Sequence, residues 1–245
     1  QPSMYENVPP DQRVTVSQYE VTCNISALSP VKNMNKAAPM LIAAVDIEVQ
    51  SSDYRSFPDA SKSGNVCTFI GTTFWMFGDK TPRLRVMQVL GSCDPVEGIV
   101  VESYSTEGHL LDAWRDLIAI RSNPDTIVSY NGTGFDFAYM SKRFDMSRAN
   151  QETLHYSRFT HLGRFLFQSS KLEKRNVSSA GMGQNEISEF PMAGRLQLDL
   201  FQYIKNSQKL SSYKLDDVCQ TFLGKESGSG KIVLDFNGWV SETTS

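Results

Sequence analysis

The stretch Pro39–Gln50, "PMLIAAVDIEVQ", begins as a buried strand and then departs from one. Leu41 to Val45 are apolar, after which Asp46 and Glu48 arrive two positions apart. Side chains at i and i+2 of a strand share a face, so both carboxylates project side by side at the end of an apolar run. Two strand rises separate them by roughly 6.6 Å, and at an effective dielectric of about 20 their repulsion is roughly 2.5 kcal/mol. Such a pair is either a solvated strand end or part of a site for something positive.

A second acidic element bears on that choice. In "IVSYNGTGFDFAYMSKR" (Ile127–Arg143), Asp136 opens a helix immediately after another buried strand. Alone, it is an ordinary first-turn acid favoured by the helix dipole. Asn131, Phe135 and Asp136 together are unusual for a routine cap. A strand-end D-x-E and a helix-start Asp from elsewhere in the chain can hold two divalent cations, and hard oxygen donors suit Mg²⁺ or Mn²⁺. Two such ions flanking a phosphodiester activate the attacking water and stabilise the leaving oxygen. That chemistry needs several converging carboxylates, and a D-x-E pair cannot perform it alone.

Composition sets the frame. The 245 residues, 40% apolar and 21% charged, describe a soluble globular chain with room for a sizeable core. A net charge of −3 gives no global attraction for nucleic acid, so any such binding must be local. No apolar run approaches a membrane span, and the polar start, Gln1 to Glu6, is no signal peptide. The four cysteines are scattered without a CxxC pair and read as reduced intracellular thiols. N-x-S/T sequons at Asn24, Asn131 and Asn176 are taken as accidental, and His109, His155 and His161 lack metal-ligand spacing. "GKESGSGK" (Gly224–Lys231) is a near miss for a phosphate loop: Ile232 stands where Ser or Thr would hold magnesium. It reads as a flexible loop.

The pattern along the chain predicts an α/β fold. Arg13–Ile25 alternates as a strand with a bulge near Ser17–Gln18, and Ser29–Pro39 is a polar linker. Residues 1–38 thus form a partial, β-rich N-terminal segment, and 39–245 the principal domain. Strands are expected at Met40–Val49, Val66–Phe77, Leu84–Leu90 and Ile99–Tyr104, the middle ones in meander order. "STEGHLLDAWRDLIAI" places Leu110, Leu111, Trp114, Leu117 and Ile118 on one helical stripe, capped by Ser105 or Thr106. A short strand at Thr126–Tyr130 feeds the "NGTG" turn and a helix from near Phe135. Gly194–Gln208 reads as strand into helix with Asp199 as its cap, and Ser212–Gly224 as a further helix ended by Gly224. Phe165–Ala193, basic at Lys171, Lys174 and Arg175, is too long for a plain connector and fits a protruding hairpin or mobile loop.

Against that frame, "MLIAAVDIEV", followed by "FPD" (Phe57–Asp59) and "NVCTFIGTTF", resembles the first exonuclease motif of the family B DNA polymerases. "PDTIVSYNGTGFDFAYMSKR" resembles their second, with Tyr130, Asn131, Phe135 and Asp136 in place. "AGRLQLDLFQYIKNSQKLSSYKLDDVCQTFLGK" is similar to the segment that follows in delta-type enzymes of eukaryotes and large DNA viruses. The resemblance implies an RNase H-like mixed sheet flanked by helices and a proofreading 3′→5′ exonuclease acting on a single-stranded DNA 3′ end. It implies two bound Mg²⁺ or Mn²⁺: Asp46 would bridge both, Glu48 would bind one beside the water, and Asp136 would hold the second. Tyr130, Asn131 and Phe135 would line the cleft around the terminal nucleotides, where aromatic stacking is indifferent to sequence.

The family's Tyr-x-x-x-Asp motif and its polymerase domain are expected beyond Ser245. "YKLDD", Tyr213 to Asp217, has that spacing but matches the family's earlier helix. The implied setting is intracellular, in a nucleus or at a viral replication site. Competing readings are a free-standing exonuclease completed by Asp217 and a non-catalytic platform for single-stranded DNA.

Overall fold

The structure, a computed structural model, describes residues 4–33, 36, 38–53, 55–150, 161–170, 173–179, 183–223, 233–235 and 239–241. His155, Lys171, Gly224 and the Gly224–Lys231 segment lie outside the described residues.

The first two strands, β1 (Tyr5–Asn7) and β2 (Val21–Cys23), pair as a small antiparallel ribbon. The continuous strand expected over Arg13–Ile25 is thereby corrected. Thr15 instead makes an isolated bridge to Phe165. The apparent phase slip is a chain reversal held by Glu20, whose carboxylate accepts from Val14 N (3.1 Å), Thr15 N (3.0 Å) and Thr15 Oγ1 (2.7 Å). A side chain takes the place of a β ladder, and alternation of apolar residues cannot distinguish the two.

The main sheet begins with β3 (Leu41–Gln50), β4 (Val66–Met76) and β5 (Leu84–Leu90), an antiparallel meander as expected. Next, β6 (Val100–Tyr104) returns to lie parallel to β5. On the other side of β3, β7 (Thr126–Ser129) runs parallel to it. The polar insert rises as a hairpin, β8 (Glu173–Ser179) against β9 (Gly183–Glu189). β10 (Leu196–Asp199) then completes the six-stranded order β10-β7-β3-β4-β5-β6. A further pair, β11 (Val233–Asp235) and β12 (Trp239–Ser241), stands apart from that sheet.

Helix α1 (Glu107–Asp116) starts at Thr106, whose hydroxyl accepts from His109 N, and continues as a π-helical turn over Leu117–Ser122. Its expected stripe is the core: Leu110, Leu111, Trp114, Leu117 and Ile118 are all buried. It packs with α2 (Asp136–Ala149) against β4, β5 and β6, in a core that Ala43, Val45 and Ile47 of β3 share. Two shorter helices, α3 (Leu200–Ser207) and α4 (Leu215–Leu223), follow β10. Leu162, Phe190 and Met192 join the core although their surroundings read as polar, with Phe190 stacked on Phe137 at 6.1 Å. The fold is the mixed, helix-flanked α/β sheet of RNase H-like exonucleases. The four cysteines are free, and among the described residues no helix is long and apolar enough to cross a membrane.

Candidate active site

Three parallel strands bring the acids together. β3, β7 and β10 run side by side, with Ala44 level with Val128 and Asp199 level with Ser129. Asp46, the turn after β7 and Asp199 therefore all emerge at the carboxyl ends of neighbouring strands, where open α/β sheets form crevices. Alternation along β3 buries Val45 and Ile47 on the helix side and leaves Asp46 and Glu48 on the other. The pairing with β4 shifts register between Glu48 and Val49, a bulge next to the acids.

The "NGTG" turn is built for a close approach. Asn131 takes φ = 61°, a left-handed conformation that short polar side chains tolerate. A side chain at Gly132 would collide with Ser129, and one at Gly134 would lie 2.5 Å from Asn131 Oδ1. Asp199 staples this turn: it accepts from Asn131 N (2.8 Å), Thr133 N (3.2 Å) and Thr133 Oγ1 (2.6 Å). It also accepts from Phe201 N (3.1 Å), capping α3 as expected. Sequence reasoning assigned the cap but missed the staple, because the partners lie far back in the chain and no local spacing announces them.

The electrostatics are those of buried acids that push one another's carboxyls up. Burial raises Asp136 to about 7, with further upward pushes from the charges of Asp46 and Asp199 and an opposing backbone hydrogen bond at Ile47. Burial raises Glu48 as well, followed by the charge of Asp46. Asp46 keeps an open side toward solvent, yet the protein packed around it raises its carboxyl too, opposed by a bond at the same Ile47 amide. Neither Asp46 nor Glu48 has a cationic side chain among the causes of its shift. The donor set is all oxygen and fits a hard divalent cation. As placed, no three or more His, Cys, Asp or Glu among the described residues are gathered around one ion position.

The substrate-binding candidates divide. Phe135, half-buried at the head of α2, meets the exposed ring of Phe57 edge-on at 5.3 Å and Tyr139 at 5.2 Å. Asn131 is exposed beside it. Tyr130 turns elsewhere: its ring packs on Phe201 at 5.7 Å and its hydroxyl donates to the carbonyl of Tyr213. Tyr213 in turn donates to Gln208 O (2.9 Å), and Asp217 accepts from Ser212 Oγ at the start of α4. Both are spent on local structure. The outside acid felt at Asp136 is Asp199.

The chain matches the exonuclease domain of DNA polymerase family B over residues 3–218. It is 30% identical over 218 residues to a DNA polymerase of Paramecium bursaria Chlorella virus NY2A, covering 89% of this chain and 24% of that protein. Against the DNA polymerase delta catalytic subunit of Oryza sativa subsp. japonica, identity is 33% over 85% of this chain and 18% of the relative. For that of Mesocricetus auratus it is 30% over 95% and 21%. The chain thus spans a quarter or less of the length of each of these relatives.

Proposed function

The chain belongs to the exonuclease-domain family of the family B DNA polymerases, and from that premise we propose that it removes nucleotides from the 3′ end of single-stranded DNA during replication, in a nucleus or at a viral replication site. The observation that carries the proposal is the convergence of parallel strand ends that brings Asp46, the turn before Asp136 and Asp199 into one region, where the charges of Asp46 and Asp199 push the buried Asp136 carboxyl up. Two Mg²⁺ or Mn²⁺ ions, when bound, would supply positive charge to these acids and activate a water toward the terminal phosphodiester. Asp46, Glu48 and Asp136 would hold the ions, Asp46 shared between them, Glu48 on the side of the attacking water and Asp136 on the other. Asn131 and the Phe57–Phe135 pair receive the terminal nucleotides, and Tyr130 anchors the turn from behind. Downstream polymerase domains, as the longer relatives' names suggest, would deliver the primer end.

Calorimetry with Mn²⁺ and digestion of an end-labelled oligothymidylate test this together. Asp46→Ala and Glu48→Gln should each weaken Mn²⁺ binding and slow release of terminal nucleotides, with unfolding still cooperative. Unchanged Mn²⁺ affinity in both variants would sink the two-metal site.

A further inference from the structure

Arg143 lies on α2, two turns beyond Asp136, and is 4% exposed. Its guanidinium bonds in two directions. Nε and Nη2 donate to the Glu107 carboxylate at 2.9, 3.0 and 2.5 Å, and Glu107 Oε1 also accepts from Cys67 N at 2.7 Å. Nη1 donates to Lys62 O at 2.8 Å and Ala60 O at 3.3 Å, both in the loop between β3 and β4. A buried arginine thus binds the loop's carbonyls to the helix that starts at Asp136.

That loop carries Phe57. The ring is 77% exposed, and its aromatic contact is edge-on with Phe135. Phe135 rests on Tyr139, a buried ring whose hydroxyl is pushed up to about 12, chiefly by burial, in the fields of Arg143 and Glu107. A hollow of about 410 Å³ opens between Phe57, Asp59, Gly134, Phe135 and Tyr139. Beside that edge-on contact, the loop is tied down by Arg143 at Ala60 and Lys62. A planar fork with five donors can grip a carboxylate with two nitrogens while donating to two carbonyls, more bonds than the three donors of a lysine can make.

We infer that Arg143 is a positioning residue: by tying the 57–63 loop to α2 it sets the opening between Phe57 and Phe135, and so the grip on the end of a single strand. This rests on the exonuclease reading above. The test is a double-mutant cycle on Kd for a fluorescein-labelled oligothymidylate, read by anisotropy. Arg143→Lys and Phe57→Ala should each weaken binding about tenfold, and the double variant no further, because both remove the same contact. Mn²⁺ affinity should be unchanged in Arg143→Lys. If Arg143 only supports the fold, Tm drops while Kd stays at the wild-type value, or the two losses add; either result overturns the proposal. Where Arg143→Lys does not fold, the neutral pair Arg143→Gln with Glu107→Gln carries the same expectation, since matched buried neutral groups are tolerated better than a broken ion pair. Failure of the wild type to bind oligothymidylate overturns the exonuclease reading and this proposal together, whereas wild-type binding with an additive cycle overturns this one alone.

Discussion

Asp136 concentrates the chemistry of the site in one side chain. Its position at the head of α2 was legible from sequence, since a helix-start acid after a buried strand is a local pattern. Its proton affinity was not, because burial and the charges of Asp46 and Asp199 come from other elements. With a folded value of about 7 against an ordinary 3.8, the native protein keeps a proton that the unfolded chain releases. Stability therefore falls as pH rises from about 4 through about 7. Asp136→Asn, in chelator, should stabilise the protein at about pH 8 by at most about 4 kcal/mol and leave it unchanged below about pH 4. Urea unfolding at the two pH values checks this, and no gain at the higher pH would show that Asp136 is not held protonated. Metal competes for the same oxygen, so Mn²⁺ affinity should climb over the same window.

Among the elements, α4 shows how a motif spacing can mislead. Tyr213 and Asp217 have the separation of a Tyr-x-x-x-Asp pair, yet spacing along a helix says nothing of which way the helix faces. Here Asp217 is exposed and accepts from Ser212 Oγ just before the helix, an exposed side-chain hydrogen bond worth about 1 kcal/mol or less. Asp217→Ala should lower stability by no more than about that amount and leave Mn²⁺ binding as it was. Lost Mn²⁺ binding would instead place α4 among the acids. The polar insert is the contrasting case: its length and glycines suggested a hairpin or a loop, and β8–β9 is the hairpin.

Across the whole molecule, Val16 of the N-terminal segment, Arg164 before the hairpin and Arg195 after it meet at Asn123. Asn123 sits at φ = 47°, ending the π-helical turn. Its Nδ2 donates to Val16 O (2.9 Å), while its Oδ1 accepts from Arg164 Nε (3.1 Å) and Arg195 Nη1 (2.7 Å). Arg195 is buried, and its pKa is lowered to about 10, first by burial and then by Arg164, so it depends on such acceptors. Asn123→Gly keeps the left-handed backbone accessible and removes these side-chain bonds, leaving Arg164 Nη2 on the carbonyl of residue 123. A loss of about 2 kcal/mol or more is expected in urea unfolding. Wild-type stability in that variant would mean the three segments are held together elsewhere.

The sequence by itself determined what depends on neighbours along the chain. The apolar alternation of β3, the stripe of α1, a hydroxyl cap at Ser105 or Thr106, the glycines of the "NGTG" turn and the paired acids at Asp46 and Glu48 all follow from periods of two or 3.6 residues and from backbone sterics. Those local rules carried the α/β class and most of the strand limits. The tertiary structure alone decided which strand ends lie side by side, and so that Asp199 staples the turn of Asn131, that Tyr130 faces Tyr213 rather than Phe135, and that Arg143 reaches the loop of Phe57. It also split the expected N-terminal strand, through a carboxylate that a period-two pattern cannot register. Hydrogen bonds and charges act over a few ångströms of space whatever the distance in sequence, and chain folding is what supplies that proximity.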